Sequence, residues 1–378
     1  MPRLMLHPLV LRSLQALAMA RAFARYRNPR RRAVGREHTA FYDRMWRDTA
    51  ADIGAKWHSL GNGIGEIELG GAKTRVSENV TEIDDPVTLT VLHDKPLTHQ
   101  LLQAQGLPVA RHQTFSLMDV KPALRFLRST DGDCVVKPAN GTGGGRGVTT
   151  GIRTPWQLAR AAAAAAVYGD ELLIEQQIAG DNYRLLYLDG RLIDAYVRHL
   201  PSVIGDGRCT VKRLVDRLNA DRAASGVGVS QVLLTIDLDM RRTLAKQGLS
   251  LRSVPARGRR VALKTVVNEN SGTENSTATE LLCKSVIEEG ARAVRALRVR
   301  FAGIDIITPD PARPLAEAGG VICEVNGTPN LYFHYRKRDG SFPVAMHLLR
   351  RLLPQPEVPP QRESPASASI RSASTAAV

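Results

Sequence analysis

Cysteine is scarce in this chain of 378 residues: Cys134, Cys209, Cys283 and Cys323 stand singly, with no CxxC and no histidine at ligand spacing. That excludes a disulfide framework and a cysteine-based zinc site, and it predicts reduced thiols in a cytoplasmic protein. No uninterrupted apolar run reaches the roughly 18–20 residues that a membrane span needs. The P-loop pattern GxxxxGK(S/T) is missing, which excludes a P-loop NTPase. No basic motif interleaved with aromatics, such as RNP1, is present, so RNA reading has no support. Acidic residues are absent from two stretches. Met1 to Arg36 holds nine arginines and no acid, and Met240 to Asn268 is equally free of Asp and Glu while carrying eight cations.

What is present starts with that basic excess. The formal charge of +15 and pI near 10.1 point to acidic partners: nucleic acid, anionic lipid or an acidic substrate. The opening residues resemble a poor signal sequence, with Ala18-Met19-Ala20 as a cleavage-like site, but His7, Arg12 and Gln15 break the apolar region. Residues 1–36 are therefore expected to be a basic arm, disordered or lying on a membrane or partner. The chain is long enough for two or three lobes around a sizeable core.

The spacing of Phe41, Met45, Trp46, Ala50 and Ile53 predicts an amphipathic helix. "GEIELGGAKTRVSEN" suits a short hairpin, and "DPVTLTVLHDKPLTHQLLQAQGLPV" reads as strand, turn and helix, with Gly106 ending the helix. "PWQLARAAAAAAVYG" has high helix propensity, and its alanines predict close helix packing. Asp189-Gly190, between two β-rich runs, predicts a two-residue hairpin turn. "VRFAGIDIITPD" and "GGVICEVNGTPN" predict a second strand pair, and residues 354–378, rich in Pro, Ser and Ala, a disordered tail. Strands and helices mix without strict βα alternation, which predicts an α+β fold. The histidines at 58, 93, 99 and 334 are isolated and are not expected to act as bases, and Trp46, Trp57 and Trp156 read as packing residues.

Two stretches carry chemistry. In "VVKPANGTGGGRGVTT", Lys137 is followed by five glycines within seven positions. Glycines let backbone N–H groups approach phosphate oxygens without a Cβ in the way, and Lys137 adds a point charge. In "GIDII" Asp305 lies mid-strand, while Glu324 and Asn326 in "CEVN" are two apart and so share a strand face. If these strands pair, two carboxylates and an amide oxygen converge, a hard donor set suited to magnesium bridging nucleotide phosphates.

In order along the chain, "HDKPLTHQLL", "VVKPANGTGGGRGV", "LIEQQIAGDNYRLL", "FAGIDII" and "EVNGTPNL" resemble the ATP-grasp ligases, and above all the ATP-grasp portion of the cyanophycin synthetases. The likeness spans roughly residues 88 to 335 and includes "VIGDGRCTVKRLVDRLN" and "LKTVVNENSGT"; the Mur-ligase-like second half of those enzymes has no counterpart. The resemblance implies an α+β ATP-grasp fold, two α/β lobes clasping ATP, with an N-terminal α/β extension. Its divisions would be a basic arm at 1–36, the extension at 37–87, an N-terminal lobe at 88–170, a C-terminal lobe with the metal site at 171–353, and the tail. It implies that Lys95 and Lys137 hold phosphates, that Gly143, Gly144, Gly145 and Gly147 form a lid over them, and that Glu175, Gln176 and Ile178 belong to the hinge that receives adenine. Asn182 stands where an acid usually binds ribose, a departure that neighbouring Asp181 could offset. Asp305, Glu324 and Asn326 match the ligands of Mg2+, with two ions expected and Mn2+ as a substitute. Arg184, Arg198 and Lys264 are the candidates for the remaining, catalytic positive charge, although Lys264 stands where that group has an arginine and an ammonium cannot grip a carboxylate bidentately. Asn330 and Tyr332 depart from the small-and-basic pattern of that group.

The implied activity is an ATP-dependent carboxylate–amine ligase that forms an amide through an acyl phosphate and releases ADP and phosphate. Its partners would be amino-acid or small-peptide substrates, acidic ones included, with no nucleic acid and with homo-oligomerisation as in related ligases. Two other readings stay open: a nucleic-acid or membrane-surface binding protein with a regulatory nucleotide site, and an ATP-grasp kinase.

Overall fold

Antiparallel pairing organises every sheet in the computed structural model, which describes residues 8–26, 29–140, 145–224, 233–265, 267 and 274–353. The strands in chain order are β1 (Lys56–Gly61), β2 (Ile64–Leu69), β3 (Ala72–Ser77), β4 (Val80–Thr81), β5 (His112–Ser116), β6 (Cys134–Pro138), β7 (Thr149–Ile152), β8 (Glu171–Gln176), β9 (Asp181–Leu188), β10 (Arg191–Arg198), β11 (Ser202–Ile204), β12 (Arg260–Ala262), β13 (Asn275–Thr277), β14 (Phe301–Thr308) and β15 (Val321–Asn326). They form sheets of order β1-β2-β3-β4, β5-β8-β6-β7, β13-β10-β9-β14-β15 and β11-β12. The mixture of these sheets with helices is α+β, as expected.

The N-terminal residues differ from expectation. Residues 8–26 form a helix, Pro8–Tyr26, rather than a disordered segment. Its Leu11 is buried among Leu158, Ala159 and Ala162, and its Gln15 Nε2 donates to the Ala166 carbonyl at 3.1 Å. The alanines of the helix Pro155–Ala165 explain the docking: small side chains let a second helix approach closely. The next helix, Pro29–Asp52, buries Tyr42, Met45, Trp46 and Ala50 against the first sheet and the helix Val344–Leu352. Each such large apolar side chain contributes roughly 1.5–3 kcal/mol on full burial. Trp156, read as a packing residue, is 39% exposed instead.

The segment expected to be a strand before Lys95 is helical. Pro86–His93 starts at Asp85, whose carboxylate accepts from Val87 N and Thr88 N, with proline in the first turn. That cap and the proline outweigh the β preference of Val87, Thr88 and Thr90. Asp94 then ends this helix and caps Lys95–Ala104. Gly106, at φ +67°, follows that helix.

All three predicted strand pairs form, β2 with β3 among them. Leu188 pairs with Arg191 around Asp189 and Gly190, both at positive φ, and Gly303, Ile304 and Asp305 of β14 face Asn326, Val325 and Glu324 of β15. On one face of this five-stranded sheet the helix Lys284–Ala296 covers Leu185, Tyr187 and Ile304. Between β10 and β13, β11, β12 and the helices Val211–Ala224 and Leu238–Lys246 build a small module around Val211, Val215, Met240, Leu244 and Val261. It carries the second acid-free stretch. Arg252, Arg257, Arg259 and Arg260 are exposed there, whereas Arg242 donates to the Thr150 and Gly151 carbonyls and Lys246 pairs with Asp133. The proposed tail, 354–378, and the glycines Gly143 and Gly144 lie outside the described residues.

Candidate active site

A cavity of about 610 Å³ opens between the β5–β8 sheet and the β9–β15 sheet. Lys95, Lys137, Gly145, Glu175, Gln176, Ile178, Asn182, Arg184, Arg198, Asp305, Glu324 and Asn326 all stand on its wall. Lys95 and Asn326, 231 positions apart in the chain, therefore meet in one place.

Lys137 leaves the end of β6. Val135 pairs with Glu175, so Lys137 and Glu175 are diagonal neighbours on one face, and their charged atoms are 2.7 Å apart with both side chains buried. Burial alone would lower the Lys137 ammonium, but the Glu175 carboxylate outweighs it and raises the lysine above its ordinary value, so it stays cationic. Lys95 is brought alongside by an Asp94–Asn140 bridge and by its own N–H, which donates to the Ala139 carbonyl at 3.3 Å. Its ammonium lies 3.4 Å from Glu324.

Asp305 sits between two strand neighbours: Arg184 of β9 faces it on one side and Glu324 of β15 on the other. Arg184 donates through Nε and Nη2 at 2.6 and 2.9 Å, and Arg198 Nη2 lies 3.1 Å away. Burial would raise the Asp305 carboxyl, but the two guanidiniums hold it below its ordinary value. Gly303 makes room for this grip, because a Cβ there would lie 2.7 Å from Arg184 Nη1 and 2.9 Å from Pro329 Cβ.

The donor set suits a hard cation. Asn326 Nδ2 donates to Gly303 O and to Asp305, both at 3.4 Å, which leaves its amide oxygen for a metal. Glu324 is the more open carboxylate, whereas the lone pairs of Asp305 already accept from arginine and asparagine, so coordination by Asp305 requires those partners to shift. Among the described residues no group of three or more His, Cys, Asp or Glu side chains is placed to hold a metal; this set has two carboxylates, with Asn326 as the third donor.

Two of the predicted residues stand off the cavity. Lys264 is buried and its Nζ pairs with Asp237 at 2.7 Å, inside the small module. Gly147 packs instead against Tyr168 and Pro138, which a Cβ would approach to 2.9 and 3.1 Å. The sequence reading missed Thr150 and Thr265, whose hydroxyls both donate to Asp239 Oδ1, and Tyr196, which lines the cavity with a buried hydroxyl that has no hydrogen-bond partner. Tyr196 was findable, since it lies two residues before Arg198 and so on the same strand face. His38 and Asn79 also reach the wall, from the helix Pro29–Asp52 and the β3–β4 turn, and nothing in their neighbourhood in the chain signals it.

No family model matches the chain. Over 270 residues it is 32% identical to the cyanophycin synthetase of Trichormus variabilis, a stretch that covers 70% of this chain and 29% of that protein. With the glutathione biosynthesis bifunctional protein of Mannheimia succiniciproducens it shares 27% identity over 286 residues, 73% of this chain and 37% of that one. The solved bifunctional glutathione synthetase from Pasteurella multocida superposes with a TM-score of 0.52 at 21% identity, over 80% of this chain and 41% of that chain. The chain has the ATP-grasp fold and is similar over most of its length to part of the cyanophycin synthetases. It spans about a third of the length of the curated relatives it matches. In this ATP-grasp chain the sheet that holds Lys137 and the sheet that holds the carboxylates face each other across the cavity.

Proposed function

We propose that this ATP-grasp chain is a carboxylate–amine ligase. A substrate carboxylate oxygen attacks the γ-phosphorus of ATP, the bond to ADP breaks, and an acyl phosphate forms. An amine nitrogen then attacks the acyl carbon, loses its proton and displaces phosphate, leaving an amide. One observation carries this reading: Lys95 and Lys137 share a cavity wall with Arg184, Arg198, Asp305, Glu324 and Asn326.

Each group has a task that its placement supports. Lys137, kept charged by Glu175, and Lys95 would hold phosphate oxygens, with Gly145 beside them. Glu324, Asn326 and, after its partners shift, Asp305 would hold Mg2+, which when bound neutralises phosphate charge. Gln176, Ile178 and Asn182 would line the nucleoside end. Arg184 and Arg198, gathered at Asp305 on the cavity wall, would supply the positive charge that meets developing negative charge. Beyond them the wall continues through Tyr196, Asn79, Asn330 and Phe333, and there we place the second substrate. Asn330 Oδ1 already accepts from Tyr42 Oη and Tyr332 N, so its amide N–H groups and the Tyr196 hydroxyl are the donors left for a ligand, which suits an amino acid or peptide bearing a carboxylate.

The test is a screen of amino-acid pairs for phosphate release with ATP and Mg2+, with products read by mass. A ligase releases ADP and phosphate in step with an amide product, and adding hydroxylamine diverts the activated acid to a hydroxamate. A stable phosphorylated product with no phosphate release would instead make the chain a kinase and refute the ligase.

A further inference from the structure

The helix Pro8–Tyr26 is apolar on two sides, and only one of them is covered. Leu11 and Leu14 face the helix Pro155–Ala165 and its core. Leu9, Ser13, Ala16, Ala20 and Phe23 follow helical spacing along the opposite side and are exposed, with Leu17 and Met19 on its flanks. The exposures of 67% for Leu9, 48% for Leu17, 54% for Met19 and 63% for Phe23 mark a continuous apolar stripe open to solvent. A helix placed only to complete the core would carry polar residues there.

We propose that this stripe docks on the surface of an anionic lipid bilayer, with the helix lying in the plane of the headgroups. Charge selects this occupant. The stripe belongs to a segment, Met1 to Arg36, with nine arginines and no acid. A second copy seated on the stripe would set like charge against like, whereas anionic headgroups supply the opposite charge above an apolar phase that accepts leucine, methionine and phenylalanine. No helix among the described residues is long and apolar enough to cross a membrane, so the contact is peripheral. Arg12, exposed on the edge of the stripe, is placed to meet a headgroup phosphate while Leu9 and Phe23 enter the acyl boundary.

The experiment is sedimentation of the full chain with vesicles of equal parts phosphatidylglycerol and phosphatidylcholine, against vesicles of phosphatidylcholine alone. Binding to the anionic vesicles only is expected, weakening as salt rises. The double variant Leu17→Asp/Phe23→Asp should bind about tenfold or more weakly, with an unchanged thermal melt because both positions are exposed. Wild-type protein that stays in the supernatant, or a double variant that binds equally well, overturns the proposal. So does a wild-type dimer that the same variant converts to monomer while vesicles go unbound, since the stripe would then belong to a second copy. Should the double variant misfold, Arg12→Glu decides: unaltered binding by this variant, together with binding indifferent to salt, refutes the lipid contact.

Discussion

Arg184 and Asp305 face each other across the antiparallel pairing of β9 and β14, joined by two charge-assisted hydrogen bonds of 2.6 and 2.9 Å. Both are buried, and Arg198 approaches the same carboxylate. Removing that charge leaves two guanidiniums in the interior without their carboxylate. Asp305→Asn is therefore expected to lose about 3–5 kcal/mol of stability, measured by urea unfolding. Its ADP release should fall by about a hundredfold or more. An Asp305→Asn protein as stable and active as wild type would contradict this account of the pair.

Gly303→Ala tests the same pair without touching a charge. The added methyl meets Arg184 and Pro329, so the guanidinium must leave its bidentate position on Asp305. Turnover should drop by about tenfold or more, while the strand pairing of β14 survives in the far-ultraviolet circular dichroism.

Lys137 and Glu175 separate two roles within one ion pair. Lys137→Ala removes the phosphate-facing charge and strands a buried carboxylate, so ADP release should vanish and stability fall by about 3–5 kcal/mol. Glu175→Gln keeps the amine but removes the carboxylate that holds it cationic, so ATP turnover should fall less than in Lys137→Ala, and most at high pH. Equal inactivity of the two variants would mean that the pair is structural.

Tyr42 links the helix Pro29–Asp52 to the proposed second-substrate end. Its hydroxyl donates to Asn330 Oδ1 at 3.3 Å and accepts from Leu331 N at 2.9 Å. Tyr42→Phe should cost about 1 kcal/mol of stability. It should raise the KM for the substrate other than ATP while leaving that for ATP unchanged; a rise in both would place Tyr42 in the general scaffold.

Two buried histidines set an acid-side pH dependence. Burial lowers His99 to about 4, helped by Lys137, and burial lowers His334 to about 4 against the pull of Asp194, 2.6 Å away. The His334 Nε2 is buried without a partner, which fits a neutral ring that donates from Nδ1 to Asp194. Unfolded histidine titrates near 6.5. The unfolded chain therefore takes up protons that the folded chain refuses as pH falls from about 6.5 to about 4, and stability declines over that window by on the order of 1 kcal/mol per pH unit for each histidine. Melting temperatures should fall across it, and His334→Asn should flatten the slope.

Much of the site could be read from order along the chain. A lysine before a glycine run, and carboxylate and amide at period-2 positions of two β-rich runs, are local patterns; they placed Lys137 on a strand, and Asp305, Glu324 and Asn326 on two strands that do pair. Lys264 shows where such reading stops. It sits at a strand end like Arg198, yet Asp237, the cap of the helix Leu238–Lys246, takes its ammonium into the small module. Val87 to Leu92 shows another limit, since the capping by Asp85 and the docking of Leu92 into the core overrode a β-rich composition.

By itself the sequence determined the hairpins, the helix end at Gly106 and the cationic and anionic inventory, because turn chemistry and side-chain alternation act over a few residues. Only the tertiary structure decided which charges meet. Arg184 opposite Asp305, Lys95 against Glu324, and Tyr42 holding Asn330 each join residues more than a hundred positions apart. Such pairings are chosen by sheet register and by the packing of the two sheets across one cavity, which no local pattern encodes.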